Sequence, residues 1–191
     1  MLRNAFFTIP FGLVSTFANA QVVQYKIDDS HSKVGFEVSH LVISTVEGKF
    51  DKFEGKFEFD PKDFSKTVLD ASVKAASVNT ANAKRDEHLR SDDFFDTKKF
   101  ETISFKSKKA EKTGDKSFKL TGDFTLKGVT KSVQFDVTYK GIVKGFKGNV
   151  IAFAGETTIN RQDFNVKFNK AIEAGPVVGD EVKIKLLIEG N

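Results

Sequence analysis

Lys33-Val34-Gly35-Phe36-Glu37-Val38-Ser39 puts Val34, Phe36 and Val38 at even positions and Lys33, Glu37 and Ser39 at odd ones. Successive side chains of a β-strand point to opposite faces, so this period of two predicts a strand with one dry face and one wet face. The same pattern recurs outward in both directions. Upstream, Gln21 to Asp29 carries Val22, Val23, Tyr25 and Ile27 and ends in the turn signal Asp28-Asp29-Ser30. Downstream, Thr45 to Asp60 carries Phe50, Phe53, Phe57 and Phe59. The apolar parity jumps between Phe50 and Phe53, with Gly48 and Gly55 nearby, which predicts a bulge or sharp coil of the kind closed sheets use to turn corners.

After the turn Asp60-Pro61-Lys62-Asp63, Val68 to Val78 reads as a strand whose inner positions Leu69, Ala71, Val73 and Ala75 become small and leave room inside. Ile103 and Phe105 restart the alternation, followed by Phe118 to Leu126, Val129 to Tyr139, Val143 to Ile159 and Val182 to Ile188. One stretch interrupts it: Ala83-Lys84-Arg85-Asp86-Glu87-His88-Leu89-Arg90-Ser91-Asp92-Asp93-Phe94-Phe95-Asp96. Asn82 can cap a short helix there, with Arg85, His88 and Leu89 on one side. The expected fold class is all-β: a single antiparallel β-barrel of about eight strands with one short helical insert. Closure is favoured over a sandwich because it removes the edges that such a Phe-rich sheet would expose.

Residues 1–20 are expected to be a cleaved signal peptide. Arg3 forms the positive start, Ala5 to Phe17 is apolar or small, and Ala18-Asn19-Ala20 is a cleavage signal. The apolar run is interrupted by Pro10 and Gly12 and is shorter than the ~20 residues of a membrane span. Residues 21–191 then form one domain in a periplasmic or secreted setting. The chain has no Cys, which excludes disulfide staples, thiolate metal sites and cysteine nucleophiles.

The formal charge is +4, with 30 basic and 26 acidic residues interspersed, which is the mark of a solvated face and not of a nucleic-acid footprint. Lys98-Lys99 and Lys108-Lys109 are the densest basic pairs, and transient contact with a membrane surface is the partner they allow. The unusual number is 21 Phe against 2 Tyr and no Trp; only Phe6, Phe7, Phe11 and Phe17 fall in the signal segment. Phe has no polar handle, so the remainder must form a dry core or line a dry cavity.

Catalytic and metal motifs are weak. His31, His40 and His88 are spread so that convergence on a metal is not expected, and no nucleophile elbow, P-loop or dinucleotide fingerprint occurs. The carboxylates Asp86, Glu87, Asp92, Asp93 and Asp96 share their segment with Lys84, Arg85 and Arg90, so local ion pairs account for them without catalysis. Arg161, after the strand ending at Ile159, either orients a ligand head group or pairs with an internal carboxylate and pins its loop.

Five blocks in order resemble the YceI-like family: Ser30 to Phe36, Arg85 to Asp96, Leu120 to Lys131, Ile159 to Phe164 and Val178 to Val182. The resemblance covers essentially all of residues 21–191. It implies a lipocalin-like barrel whose interior holds a polyisoprenoid or related long amphiphile such as an isoprenoid quinone, often as a homodimer, with no catalytic residues and no cofactor to carry over. Glu101 and Ser132 stand where the family usually has Pro, loosening two turns, and Asn165 stands where Gly is usual, which bears on the rim conformation.

On this reading the cavity is lined by Val34, Phe36, Val38, Phe57, Phe105, Phe124, Phe135, Val137, Phe153 and Ile184, with Arg85, His88 and Arg161 as polar groups at its ends. Two other classes compete with it. A filled barrel would serve as an envelope interaction or stress module without ligand, and an enzyme acting on a lipid would need the unspecific carboxylates of the insert.

Overall fold

The structure, a computed structural model, describes residues 22–191 apart from Lys147 and Ala174. The expected signal segment lies outside the described residues. β1 (Val23–Lys26) and β2 (Lys33–His40) are halves of one long bent strand, because β2 pairs with β3 (Ser44–Phe50) while β1 pairs with β4 (Phe53–Phe59). The break between β3 and β4 falls at Asp51-Lys52, where the apolar parity jumps. β5 (Val68–Lys74) and β6 (Val78–Asn79) repeat the arrangement, pairing with β4 and β3 respectively.

β7 (Thr102–Lys112) pairs with β5, and β8 (Ser117–Leu126), β9 (Val129–Gly145), β10 (Gly148–Asn160) and the last long strand follow as neighbours in chain order. A small hairpin, β11 (Ala171–Ile172) with β12 (Gly175–Pro176), precedes that strand, β13 (Val178–Gly190). β13 then returns to β2, and its end reaches β1 through the Ile27–Gly190 bridge and reciprocal Lys26–Asn191 backbone bonds of 3.0 and 3.1 Å. All pairings are antiparallel, and apart from the β11–β12 hairpin the remaining eleven segments amount to eight long strands closed into an up-and-down barrel.

Alternation decides which way each strand faces. In β8 buried and half-buried residues alternate without a break, Phe118, Leu120, Gly122, Phe124 and Leu126 pointing inward. Gly122 is required by close approach: a Cβ there would lie 2.3 Å from the Lys106 carbonyl oxygen, beside the bulge at Ser107–Lys109. One end of the barrel is filled with rings. Phe59 is fully buried, with Phe153, Tyr139, Phe64 and Phe118 around it at centroid distances of 4.9, 5.0, 5.3 and 6.2 Å. Aromatic pairs at these spacings contribute about 0.5–1.5 kcal/mol each beyond area burial.

The other end carries the insert. α1 (Ala83–Arg90) starts at Asn82, whose side chain accepts the Arg85 N–H at 3.1 Å. Its charged residues do not pair with one another as expected. Among the described residues the insert holds one charge pair, His88 with Asp93. Instead, buried Asp86 accepts the Thr80 N–H and hydroxyl at 2.8 and 2.6 Å, Arg85 donates to the Thr80 hydroxyl and carbonyl, and Arg90 donates to the carbonyls of Ala76 and Val78. The helix itself has little apolar face, so side-chain bonds to backbone help fasten it to the barrel end.

Two local expectations are corrected and the rim conformation at Asn165 is resolved. Val143 belongs to β9, which runs on to Gly145, and not to the strand that ends near Ile159. Ser132 lies in no turn; it sits within β9 opposite Asp123, in a pair whose N–H groups point away from each other, so a proline there would cost no bond to β8. Asn165 takes the left-handed conformation itself, at φ 59°, ψ 19°, so the rim keeps a glycine-like corner without glycine, Asn being among the residues that enter this region most readily.

Candidate functional site: an apolar cavity in the barrel

The barrel interior above the ring-filled end is a cavity of about 410 Å³, within the ~300–1,000 Å³ typical of small-molecule sites. Its wall is built from the inward positions of nearly every strand. β2 supplies Val34, Phe36 and Val38; β4 supplies Phe57; β7 and β8 supply Phe105 and Phe124. β9 supplies Phe135 and Val137, β10 Phe153, and β13 Ile184. All ten sequence-derived positions therefore face one space. The rings hold one another edge-on: Phe105 with Phe135 at 5.1 Å, Phe57 with Phe153 at 5.5 Å. Phe36 lies over Gly48 of the neighbouring strand, where any Cβ would meet the ring at 2.3 Å. The expected small positions of β5, Leu69, Ala71 and Val73, also line the space.

Sequence reasoning put the insert's Arg85 and His88 at an end of the cavity but missed the apolar side chains of the cover. Leu89, Phe94 and Phe95 from the insert and Val166 and Phe168 from the segment after β10 also line the cavity. Phe94 stacks on Phe168 at 4.8 Å, and His88 stands edge-on to both at 5.0 and 5.1 Å. Leu89 sits in the last turn of α1, but Phe94, Phe95, Val166 and Phe168 lie in irregular segments without periodicity. The only available signal was the Phe-Phe pair inside an otherwise charged stretch.

The polar groups are occupied with holding the frame. Arg85 lines the cavity, but its guanidinium is bound to Thr80. His88 has Nε2 2.8 Å from an Asp93 carboxylate oxygen. Arg161 is 3 % exposed and donates to the carbonyls of Gly179, Val166 and Val178 and to Asp180 at 2.7–3.2 Å. The expectation of an internal carboxylate partner is corrected here: Asp180 is half exposed, and the main acceptors are backbone. Burial pushes the Arg161 pKa down, and the Asp180 charge partly restores it. Four of the five guanidinium N–H groups are spent on the loop, so Arg161 pins the rim.

The histidines stay apart: His31 pairs with Asp28 on the outer wall and His88 with Asp93 at the cover. Among the described residues no three metal-ligating side chains gather. What the arrangement can do chemically is enclose hydrocarbon, since nearly the whole lining is aliphatic or aromatic.

The comparisons agree with this architecture. A UPF0312 protein of Staphylococcus aureus strain N315 is 37% identical over 171 residues, spanning 88% of this chain and 97% of that protein. The Campylobacter jejuni YCEI protein superposes with a TM-score of 0.71 at 35% identity, covering 80% of this chain and 89% of that one. BcnA of Burkholderia cenocepacia gives a TM-score of 0.77 at 25% identity over 86% of this chain and 99% of that one. A polyisoprenoid binding domain from Saccharophagus degradans has the same fold, with a TM-score of 0.64 at 16% identity. The YceI-like domain model matches residues 25–190, from β1 to the last residue of β13. A match that spans the whole barrel, together with these relatives, shows that the chain belongs to the YceI-like family.

Proposed function

We propose that this protein is an exported binding protein that holds a polyisoprenoid or similar long-chain amphiphilic lipid in the barrel cavity, for transport or storage between membranes. The observation that carries the reading is a cavity of about 410 Å³ walled by phenylalanine and branched aliphatic side chains. A space of that size leaves its apolar walls without the packing contacts that a filled core supplies. Such a space makes physical sense when an occupant fills it. The polyisoprenoid-binding description of the Saccharophagus degradans domain, which shares the fold, supports the class of occupant. The same cavity weighs against the filled-barrel interaction module, and the structural bonding of Asp86 weighs against catalysis by the insert.

Affinity has a natural ceiling in this arrangement. Moving a tail out of water yields ~0.8 kcal/mol per CH₂, but the tail's alternative is a bilayer where it is already dry. The net gain is small, so the lipid exchanges with membranes instead of being extracted irreversibly.

The test is native mass spectrometry of protein purified from its host without detergent, with organic extraction of what is bound. A stoichiometric isoprenoid or other long-chain amphiphile is expected. An apo mass that persists after incubation with lipid vesicles would overturn the reading.

A further inference from the structure

The β9–β10 hairpin runs beyond the barrel. Pairing of β9 with β8 ends at Thr138, and pairing of β10 with β13 begins at Ile151, so the intervening chain is a two-stranded ribbon with neither outer neighbour. At its root Ala152 faces Gly141 while Phe153 faces Tyr139, which makes Lys140 the extra residue of a bulge. Gly141 has φ +138°, a conformation that suits glycine, and it re-aims the ribbon away from the wall.

The ribbon carries apolar side chains outward. Phe146 at the tip is fully exposed, Val143 is 65% exposed and Ile142 38%. Ile142, opposite buried Ile151, continues the inner face and Val143 the outer one, so it is Val143 and the tip residue Phe146, both largely in solvent on a narrow ribbon, that mark a contact surface. The ribbon's own charge has one sign: between Asp136 and Glu156 every charged residue of the sequence is a lysine. Among the described residues neither Lys140 nor Lys144 joins an ion pair, although salt bridges are frequent elsewhere on the barrel.

We propose that this ribbon docks the protein on an anionic lipid surface, Phe146 and Val143 entering the headgroup boundary and Lys140 and Lys144 meeting lipid phosphates. Charge complementarity selects this occupant: a second copy packed by the same tip would set lysines against lysines. The geometry also orients the barrel. The β8–β9 turn is tied to the insert by the Lys127 ammonium donating to the Asp92 carbonyl at 2.7 Å, and β9 runs away from it. The ribbon therefore stands at the pole opposite α1, and docking leaves the covered end of the cavity facing solvent. The inference is independent of what the cavity holds.

The experiment is sedimentation of the purified protein with vesicles of phosphatidylcholine alone and with about a third phosphatidylglycerol. Binding is expected to the anionic vesicles and to weaken with salt. Lys144→Gln should lower the partition coefficient about fivefold, and Phe146→Ser by a factor on the order of ten to a hundred. Thermal unfolding should be unchanged in both, because neither side chain is packed. Ile43→Ser, which alters an 88% exposed apolar residue at the insert-bearing pole, should leave binding intact. No binding to anionic vesicles, or binding lost in Ile43→Ser and kept in Phe146→Ser, would overturn the proposal. So would a Phe146-dependent dimer in analytical ultracentrifugation without vesicle binding.

Discussion

Phe94 and Phe168 stack with their ring centroids 4.8 Å apart, joining the insert to the segment after β10 across the top of the cavity. The two rings are the seam of the cover. A lipid entering or leaving by this end must part them, and His88, edge-on to both, braces the closed arrangement. Phe168→Ala removes one leaf of the seam. With about 0.5–1.5 kcal/mol in such a pair, release of a long-chain fluorescent lipid should quicken roughly two- to tenfold. Stopped-flow displacement measures it; an unchanged release rate would show that ligand passes elsewhere.

Filling the cavity separates binding from folding better than emptying it. Ala71 lines the space from β5 beside larger neighbours. Ala71→Phe adds a ring where a ligand would lie, at an overpacking cost of about 1–3 kcal/mol. The variant should remain folded by circular dichroism and purify without lipid. Phe135→Asp, which places a charge on a wall position only 5% exposed, should lose both ligand and several degrees of melting temperature.

Arg161→Ala leaves three rim carbonyls, of Val166, Val178 and Gly179, without their donor. An unsatisfied buried acceptor costs about 1–3 kcal/mol, so a loss near 3 kcal/mol is expected, or roughly 6–12 °C in melting temperature for a domain of this size. Arg161→Lys should recover only part of it, since an ammonium cannot span the fork of acceptors.

Asp28 and His31 give the outer wall a pH signature. A hydrogen bond from the Ser30 hydroxyl, followed by His31 at 3.0 Å, lowers the Asp28 carboxyl from an ordinary 3.8 to about 2. Asp28 in turn, first by hydrogen bond and then by charge, raises the His31 imidazole above its ordinary 6.5. The Asp28 contribution is present above its unfolded value and is lost as pH falls toward 2; the His31 contribution is complete below 6.5 and fades as pH rises through the raised value. Both partners are charged and paired between roughly pH 4 and 6.5. In an NMR titration His31 should titrate above 6.5, and Asp28→Asn should return it to that value. An ordinary His31 midpoint in the unaltered protein would contradict the pairing.

Asp86 distinguishes structure from catalysis within the insert. Its carboxylate oxygen accepts two bonds from Thr80, both of which an Asn oxygen can also accept. Asp86→Asn should keep stability and lipid occupancy, while Asp86→Ala should cost about 2 kcal/mol by chemical denaturation. Equal losses in the two variants would mean that the negative charge itself is needed.

What the sequence by itself determined follows from period two. Alternation in β2, β8 and β9 assigned an inner and an outer face to each strand, and the parity jump at Phe50–Phe53 marked the corner, because these depend on neighbours one or two residues away. The capped helix at Asn82 was legible for the same reason. Only the tertiary structure decided that β1 with β2, β3 with β4 and β5 with β6 are single bent strands, and that β13 closes on β1. It also decided that the Phe-rich interior leaves a space and that Phe94 and Phe168, 74 positions apart, cover it. Closure, void and cover depend on how many side-chain volumes meet across the barrel axis, and that sum over distant residues appears in no local pattern.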